Sequence, residues 1–237
     1  MPVVERNANA NKHDIVYFVK DTPVNEELRY SLRSLVNFPH GKVWFYGGCP
    51  KDLKPDVHIK IEQDQPTKWA NIFKMFKMAC HNKNISDNFW LFNDDFFIMK
   101  PTKHPKCYYD GDLYKRVVTL EDAHFGITPY SQQLRYTLQE LEGMGCETKN
   151  YAVHTPMLIN KSKGEELCNI IDGPMIRCVY GNYFKVEGTN RRDFKIDSIN
   201  KMWKDGEYLS TTDKSFNHGK VGEQIKNIFK QKCQYEK

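Results

Sequence analysis

Apolar and polar positions alternate in short bursts through the first hundred residues. DIVYFVK, residues 14–20, is β-branched and aromatic and predicts a strand. Residues 25–37 set Leu28, Leu32 and Leu35 on one stripe, the spacing of an amphipathic helix, with Thr22-Pro23 ahead of it as a start signal. KVWFYGG, residues 42–48, predicts a second strand closed by a Gly-Gly turn, and HIKI, residues 58–61, a short third. Helical spacing returns over residues 67–82, where Trp69, Ile72, Phe73, Phe76 and Ala79/Cys80 share a face and Lys74 and Lys77 lie on the polar side as a solvated face. NFWLF, residues 88–92, is a fourth strand. This β-α-β-β-α-β order predicts an α/β fold, a mainly parallel sheet with helices on its faces.

The second half is less regular. VVTLED, residues 117–122, predicts a strand, and residues 131–143 a helix that stops at Gly143-Met144-Gly145. YAVHTPMLI, residues 151–159, predicts a strand interrupted by Pro156, and residues 161–171 and 220–232 predict helices. No repeat, low-complexity tract or linker divides the chain. It reads as one domain, residues 14–237, behind a polar lead-in of residues 1–13.

Composition narrows the class. The chain has 237 residues, 40% of them hydrophobic and 13% aromatic, enough to build a core. A mean hydropathy of −0.68, with no apolar run near the ~20 residues of a membrane span, argues against an integral membrane protein. The first residues carry no apolar signal segment. The seven cysteines are scattered, odd in number and free of any C-x-x-C, so zinc-knuckle and redox motifs lack support. Free thiols in a reducing cytoplasm are the expectation. A formal charge of +5 tilts the chain toward anionic partners.

One stretch carries chemistry. In FWLFNDDFFIMKP, residues 89–101, four apolar residues run into Asn93-Asp94-Asp95 and four more follow. Open α/β sheets bind ligands beyond the carboxyl ends of their strands, where this pair falls. Adjacent carboxylates in apolar surroundings need a compensating cation. A hard divalent metal, Mn²⁺ or Mg²⁺, prefers such oxygens and bridges to substrate phosphates. The plain alternative is that Asp94 caps a turn and Asp95 pairs with a surface lysine such as Lys100. Asn-Asp-Asp in this setting looks like the Asp-x-Asp element of GT-A glycosyltransferases. Its first position here is Asn93, which leaves Asp95 as the direct metal ligand and Asp94 beside the chemistry.

A second stretch is more specific. Arg29 and Arg33 lie four apart on the predicted helix and repel each other, so either Glu26 neutralises Arg29 or an anion sits near both. Glu27-Leu28-Arg29-Tyr30-Ser31-Leu32-Arg33-Ser34, followed by a strand and then Leu91-Phe92-Asn93-Asp94-Asp95, resembles the signature regions of the Stealth family of sugar-phosphate transferases. DIVYFV is similar to that family's opening Asp-x-Val-Tyr strand, and His154-Thr155-Pro156 resembles its His-x-Pro element. The likeness covers about residues 14–100 and is thin afterward. It implies a GT-A-like core whose first half, residues 14–100, binds a nucleotide-sugar and whose second half, residues 101–237, meets the acceptor. By resemblance, Asp14 lies near the nucleotide. Whether a sugar or a sugar phosphate moves stays open.

Other groups are candidates by residue type. His154 acts on the acceptor or supports the leaving phosphate, or is a histidine satisfied in a turn. Glu121, Asp122 and His124 follow a predicted strand and reach the same sheet edge, with Asp122 a candidate general base; a solvated loop is the alternative. The paired Arg191 and Arg192 suit phosphates, or pair through Asp193 on the surface. His218, ahead of the last helix, is a candidate late metal ligand. Tyr180 and Tyr183 form an acceptor platform or pack in the core. Together these residues suggest a metal-dependent glycosyltransferase: Asp94, His154 and Asp122 catalytic, Asp95 and His218 on the metal, and Asp14, Arg29, Arg33, Asn93, Arg191 and Arg192 on a UDP-sugar. The acceptor is a hydroxyl on a glycan or on a hydroxylated base in DNA. Two alternatives remain: a sugar-1-phosphate transferase acting on a cell-surface polysaccharide, and a non-catalytic module that binds nucleotide-sugars or glycans.

Overall fold

A computed structural model describes residues 12–103 and 105–237. The lead-in expected over residues 1–13 lies outside the described residues as far as residue 11. The chain then runs β1 (Asp14–Val19), α1 (Glu26–Ser34), β2 (Val43–Gly47), β3 (Val57–Lys60), α2 (Lys68–Cys80) and β4 (Asn88–Phe92), the order its periodicity predicts. It continues with β5 (Phe96–Ile98), β6 (Tyr108–Tyr109), α3 (Leu113–Ala123), α4 (Pro129–Gly143), β7 (Met157–Asn160) and α5 (Lys161–Cys168). The last elements are α6 (Ile176–Tyr183), β8 (Thr189–Asn190), β9 (Lys195–Ile196), β10 (Tyr208–Thr211), α7 (Asp213–His218) and α8 (Lys220–Ile228).

The main sheet has the order β3-β2-β1-β4-β7, parallel except for β7. Strand side chains alternate between its two faces. Ile15, Tyr17, Val43 and Phe45 pack with Leu28, Leu32 and Leu35 of the first helical segment. Val16, Trp44, Tyr46, Phe89 and Leu91 pack with Phe73, Phe76 and Ala79 of α2. Both faces are therefore apolar, as a covered parallel sheet requires. Leu28 and Leu32 are essentially sealed from water, and each such leucine contributes roughly 2 kcal/mol. Asn25 starts α1 by accepting a hydrogen bond from the Leu28 backbone N–H at 2.9 Å, and Thr67 starts α2 through Ala70 at 3.1 Å.

This order places the site. From β1 the chain moves outward through β2 and β3, then returns across α2 to lay β4 on the other side of β1. The strand order reverses between the parallel neighbours β1 and β4, and a crevice opens beyond their carboxyl ends. A smaller sheet, β5-β10-β9, closes one flank of it. The Phe97, Phe216, Val221, Ile225 and Phe229 cluster holds α7 and α8 behind that sheet.

Two expectations for the second half fail. Residues 117–122 belong to helix α3, not to a strand. The β-branched run Val117-Val118-Thr119 suggests extended chain, but burial of only Leu113 and Val117, four apart, is a helical stripe. Asp112 caps that helix by accepting from the Lys115 backbone N–H at 3.1 Å. Residues 151–156 form no strand; pairing begins at Met157, just past Pro156, whose missing N–H cannot join a ladder. Helices α5 and α8 stop at Cys168 and Ile228, a few residues short of expectation. Tyr180 is a core residue whose hydroxyl accepts from the Asn160 backbone N–H at 2.8 Å, not an open platform. All seven cysteines are free. Among the described residues no helix is long and apolar enough to cross a membrane.

Candidate functional site

Asp94 and Asp95 form the turn between β4 and β5, a position that favours short polar side chains. Asp94 Oδ2 accepts a hydrogen bond from Asn25 Nδ2 at 2.8 Å. Asn25 therefore ties the start of α1 to the end of β4 across the switch point. Burial, and next the charge of Asp95, push the Asp94 carboxyl up to about 6. Asp95 Oδ2 accepts from Lys195 Nζ at 3.0 Å and from Ser210 Oγ at 3.2 Å. Asp95 Oδ1 is buried and has no hydrogen-bond partner among the described residues.

Glu27, on the first turn of α1, joins this group. It accepts a hydrogen bond from Thr211 Oγ1. Burial dominates its environment; the Thr211 hydroxyl works against it, Asp213 and Asp95 work with it, and the carboxyl is pushed up to about 8. Glu26, Glu27, Asp94, Asp95 and Asp213 line a cleft of about 730 Å³ together with Lys20, Lys68 and Lys195.

His154 stands on the adjoining wall. Asp193 Oδ1 accepts from its backbone N–H at 2.8 Å, and Asp193 Oδ2 faces ring Nδ1 at 2.6 Å. An ionised carboxylate can only accept, so Nδ1 carries a proton. Lys195 Nζ meets Nε2 at 3.2 Å; an ammonium can only donate, so this contact requires a lone pair there. Burial works to raise the Asp193 carboxyl, but the hydrogen bonds from His154 outweigh it and hold it below the usual range. Beside His154 lies a smaller, largely apolar cavity of about 260 Å³ between Phe18, Trp69, Ile72 and Tyr130, with Asn93, Asp94 and Arg177 on its polar side. Asp94 and Lys68 line both spaces, so the two adjoin.

Arg177 organises that polar side. Its Nη2 donates to the Leu91 carbonyl at 2.8 Å and approaches Asn93 Oδ1 at 3.4 Å; its Nη1 donates to the Thr155 carbonyl. The guanidinium lies 5.0 Å from the Phe96 ring. Burial lowers it to about 10, still charged near neutrality. Arg177 thereby fixes the end of β4 to the loop that carries His154.

The sequence expectations divide here. Asn93, Asp94, Asp95 and His154 come together, from chain segments about sixty residues apart. The others do not join them. Asp14 opens β1, so it lies at the opposite edge of the sheet from Asp94, where it accepts from Lys42 N, Trp44 Nε1 and Ser86 N at 2.8, 2.9 and 3.2 Å. Arg29 pairs with Glu26 and Asp52, and Arg33 makes a bidentate pair with Glu236 at 2.7 and 2.8 Å. Their counter-ions are carboxylates of the chain, the Glu26 contact among them. Asp122 sits exposed on α3, while its neighbour Glu121 is clasped by Arg135. Arg191 and Arg192 are exposed and line neither cavity; Arg191 lies 4.4 Å over the Phe194 ring. Asp193, which looked like their partner, turns to His154 instead. His218 ends α7 exposed; Asp213 and Asn217, four apart, face the cleft, and the next position points elsewhere.

Glu27, Lys195, Asp193, Asp213 and Arg177 went unselected from the sequence. Arg177 had a signal, a single cation inside the apolar run Met175-Ile176-Arg177-Cys178-Val179, the same anomaly that marked the aspartates. Lys195 had none, since its role depends on a strand pairing.

No family model matches the chain, and no curated protein matches it.

The residues were tested against a divalent cation. Among the described residues no three His, Cys, Asp or Glu side chains converge on a shared point. An Mg²⁺-like ion, however, needs only one or two carboxylates when substrate phosphates and waters complete its shell. The partnerless Asp95 Oδ1, the neighbouring Asp94 and the oxygen-only chemistry fit that arrangement.

Proposed function

We propose that the chain is a nucleotide-sugar-dependent glycosyltransferase with a GT-A-like core, acting on a hydroxyl acceptor. The observation that carries this reading is the cleft at the β1/β4 switch point, where a partly uncompensated aspartate pair faces lysines from three segments and an oriented histidine. Lys20, Lys68 and Lys195 supply positive charge for a diphosphate in the larger space. Asp95, with Asp94 beside it, would hold Mn²⁺ or Mg²⁺. Such an ion, when bound, offsets charge developing on the leaving phosphate. His154, its Nδ1 committed to Asp193, presents Nε2 to take the proton of the attacking acceptor hydroxyl. Asn93 and Arg177 hold the smaller space in shape. Donor and acceptor in adjoining spaces meet at Asp94, the arrangement that turns an encounter into a near-intramolecular step.

A hydroxyl on a glycan, or on a hydroxylated base in DNA, is the acceptor class. The deciding experiment supplies UDP-sugars with Mn²⁺ and follows UDP release with and without acceptor. Wild-type protein turns over; Asp95→Asn is slower by roughly 10²-fold or more, while retaining its thermal transition. Binding without turnover in both proteins would point to a carbohydrate- or nucleotide-binding module. Phosphorus in the product would move the reaction to sugar-1-phosphate transfer, the chemistry of the Stealth family.

A further inference from the structure

Lys195 occupies two places that the reaction needs. Its Nζ donates to Asp95 Oδ2 at 3.0 Å, on the carboxylate assigned to the cation. It also donates to His154 Nε2 at 3.2 Å, on the lone pair assigned to the acceptor proton. One ammonium thus neutralises the acid and masks the base.

The geometry points to Lys195 as a built-in counter-ion that a divalent cation displaces from Asp95, unmasking His154 as it leaves. This inference rests on the metal-dependent reading above and adds to it an order of events. Lys195 begins β9, in register with Ser210 of β10, so its backbone is held by sheet pairing. Ser210 Oγ donates to the same Asp95 oxygen at 3.2 Å and stays to orient the carboxylate once the lysine moves. The lysine side chain itself is 28% exposed and its four-carbon stem is flexible, so the ammonium can swing while the strand stays fixed. It also lines the larger cleft, where a donor diphosphate would receive it. A cation held by both Asp95 oxygens, the partnerless Oδ1 and Oδ2 together, cannot share Oδ2 with the ammonium at contact distance without strong repulsion. Arrival of the ion and departure of Lys195 are therefore linked. His154 becomes a free base only when the donor side is assembled, which keeps the lone pair masked while no donor is present.

The test measures Mn²⁺ affinity by the electron paramagnetic resonance signal of the free ion, in wild type, Lys195→Met and Asp95→Asn. Removing a partly buried competing ammonium tightens Mn²⁺ binding about tenfold in Lys195→Met, the equivalent of roughly 1.4 kcal/mol. Asp95→Asn loses it. A second arm needs no variant: acetic anhydride labelling of Lys195, read by mass spectrometry, rises several-fold when Mn²⁺ is added to wild type. That arm decides the matter if Lys195→Met fails to fold. Equal Mn²⁺ affinity in wild type and Lys195→Met, or labelling indifferent to Mn²⁺, overturns the displacement while leaving a metal at Asp95 intact. Absence of Mn²⁺ binding in every protein overturns the metal-dependent reading itself and makes Lys195 a permanent counter-ion.

Discussion

The two edges of the central sheet hold the same residue type in opposite conditions. At the amino end of β1, Asp14 is buried and accepts three hydrogen bonds, from two backbone N–H groups and the Trp44 indole. At the carboxyl end of β4, Asp94 has one side-chain donor, and Asp95 keeps one oxygen with no partner. A carboxylate whose lone pairs are used inside the chain is structural. A buried carboxylate oxygen left without a partner beside a cleft is the feature on which the proposed ligand role rests. The contrast also separates two kinds of arginine. Arg29 and Arg33 have their charge met by Glu26, Asp52 and Glu236, whereas Arg177 directs its donors to backbone carbonyls at the site with no carboxylate in contact among the described residues.

The strongest way to break this contrast is to change one residue at each edge. Asp95→Asn should cut kcat by roughly 10²–10³, the scale of losing one preorganised electrostatic group, with the fold retained by circular dichroism. Asp14→Ala should do the reverse. Three donors lose their acceptor, and urea unfolding should register a loss of about 3 kcal/mol or more, with turnover per folded molecule unchanged. Activity lost in Asp14→Ala at full stability would return that residue to the nucleotide site. Arg33→Ala should cost about 2 kcal/mol through its charged pair with Glu236, and leave the KM for donor alone. A raised KM there would mean that the arginine meets phosphate after all.

The smallest effect is a pH dependence. Glu27 and Asp94 have folded values raised from 4.5 to about 8 and from 3.8 to about 6. The folded chain then binds more protons than the unfolded one, so stability falls as pH rises. Their contribution is whole below about pH 4 and is lost as pH climbs through about 6 and then about 8. His40, lowered by burial, works in the opposite sense, so the informative quantity is a difference. Glu27→Gln should flatten the decline in Tm between pH 5 and 8 relative to wild type, by about 2–4 °C for each kcal/mol involved. Identical pH profiles would show that Glu27 is solvated, not recessed.

Most of the first hundred residues were legible because their signals are local. Strand and helix periods and the apolar flanks of Asp94-Asp95 all sit within a few neighbours of the residue concerned; the start of α1 is the exception, capped by Asn25 and not at Thr22-Pro23. The second half builds its site from residues whose roles come from distant pairings. Lys195 meets Asp95 because β9 lies beside β10, and Asp193 meets His154 because its loop reaches it across 39 positions of chain. The same limit explains the failures. Arg29 and Arg33 looked anion-hungry because two of their counter-ions, Asp52 for Arg29 and Glu236 for Arg33, lie outside the helix, the second at the far end of the sequence. Asp122 looked like a group at a strand end because Val117-Val118-Thr119 favours strand locally, while the burial of Leu113 with Val117, which makes the segment a helix, shows only in three dimensions. His218 missed the cleft by one position of helical phase.

The clasp between Arg33 and Glu236 bears on how the molecule is made. The final residues are stitched to the first third of the fold: Leu53 bridges Glu236, the Lys237 N–H donates to the Asp52 carbonyl at 3.0 Å, and His40 Nε2 lies 2.9 Å from the Tyr235 hydroxyl. During synthesis the parallel strands can assemble early, because domains tend to form from the amino end as the chain emerges. The Arg33 side of helix α1, which carries Glu27 to the crevice, lacks its Glu236 partner until residues 233–237 have left the ribosome. A nascent chain stalled short of them would own a finished sheet and an unlatched door.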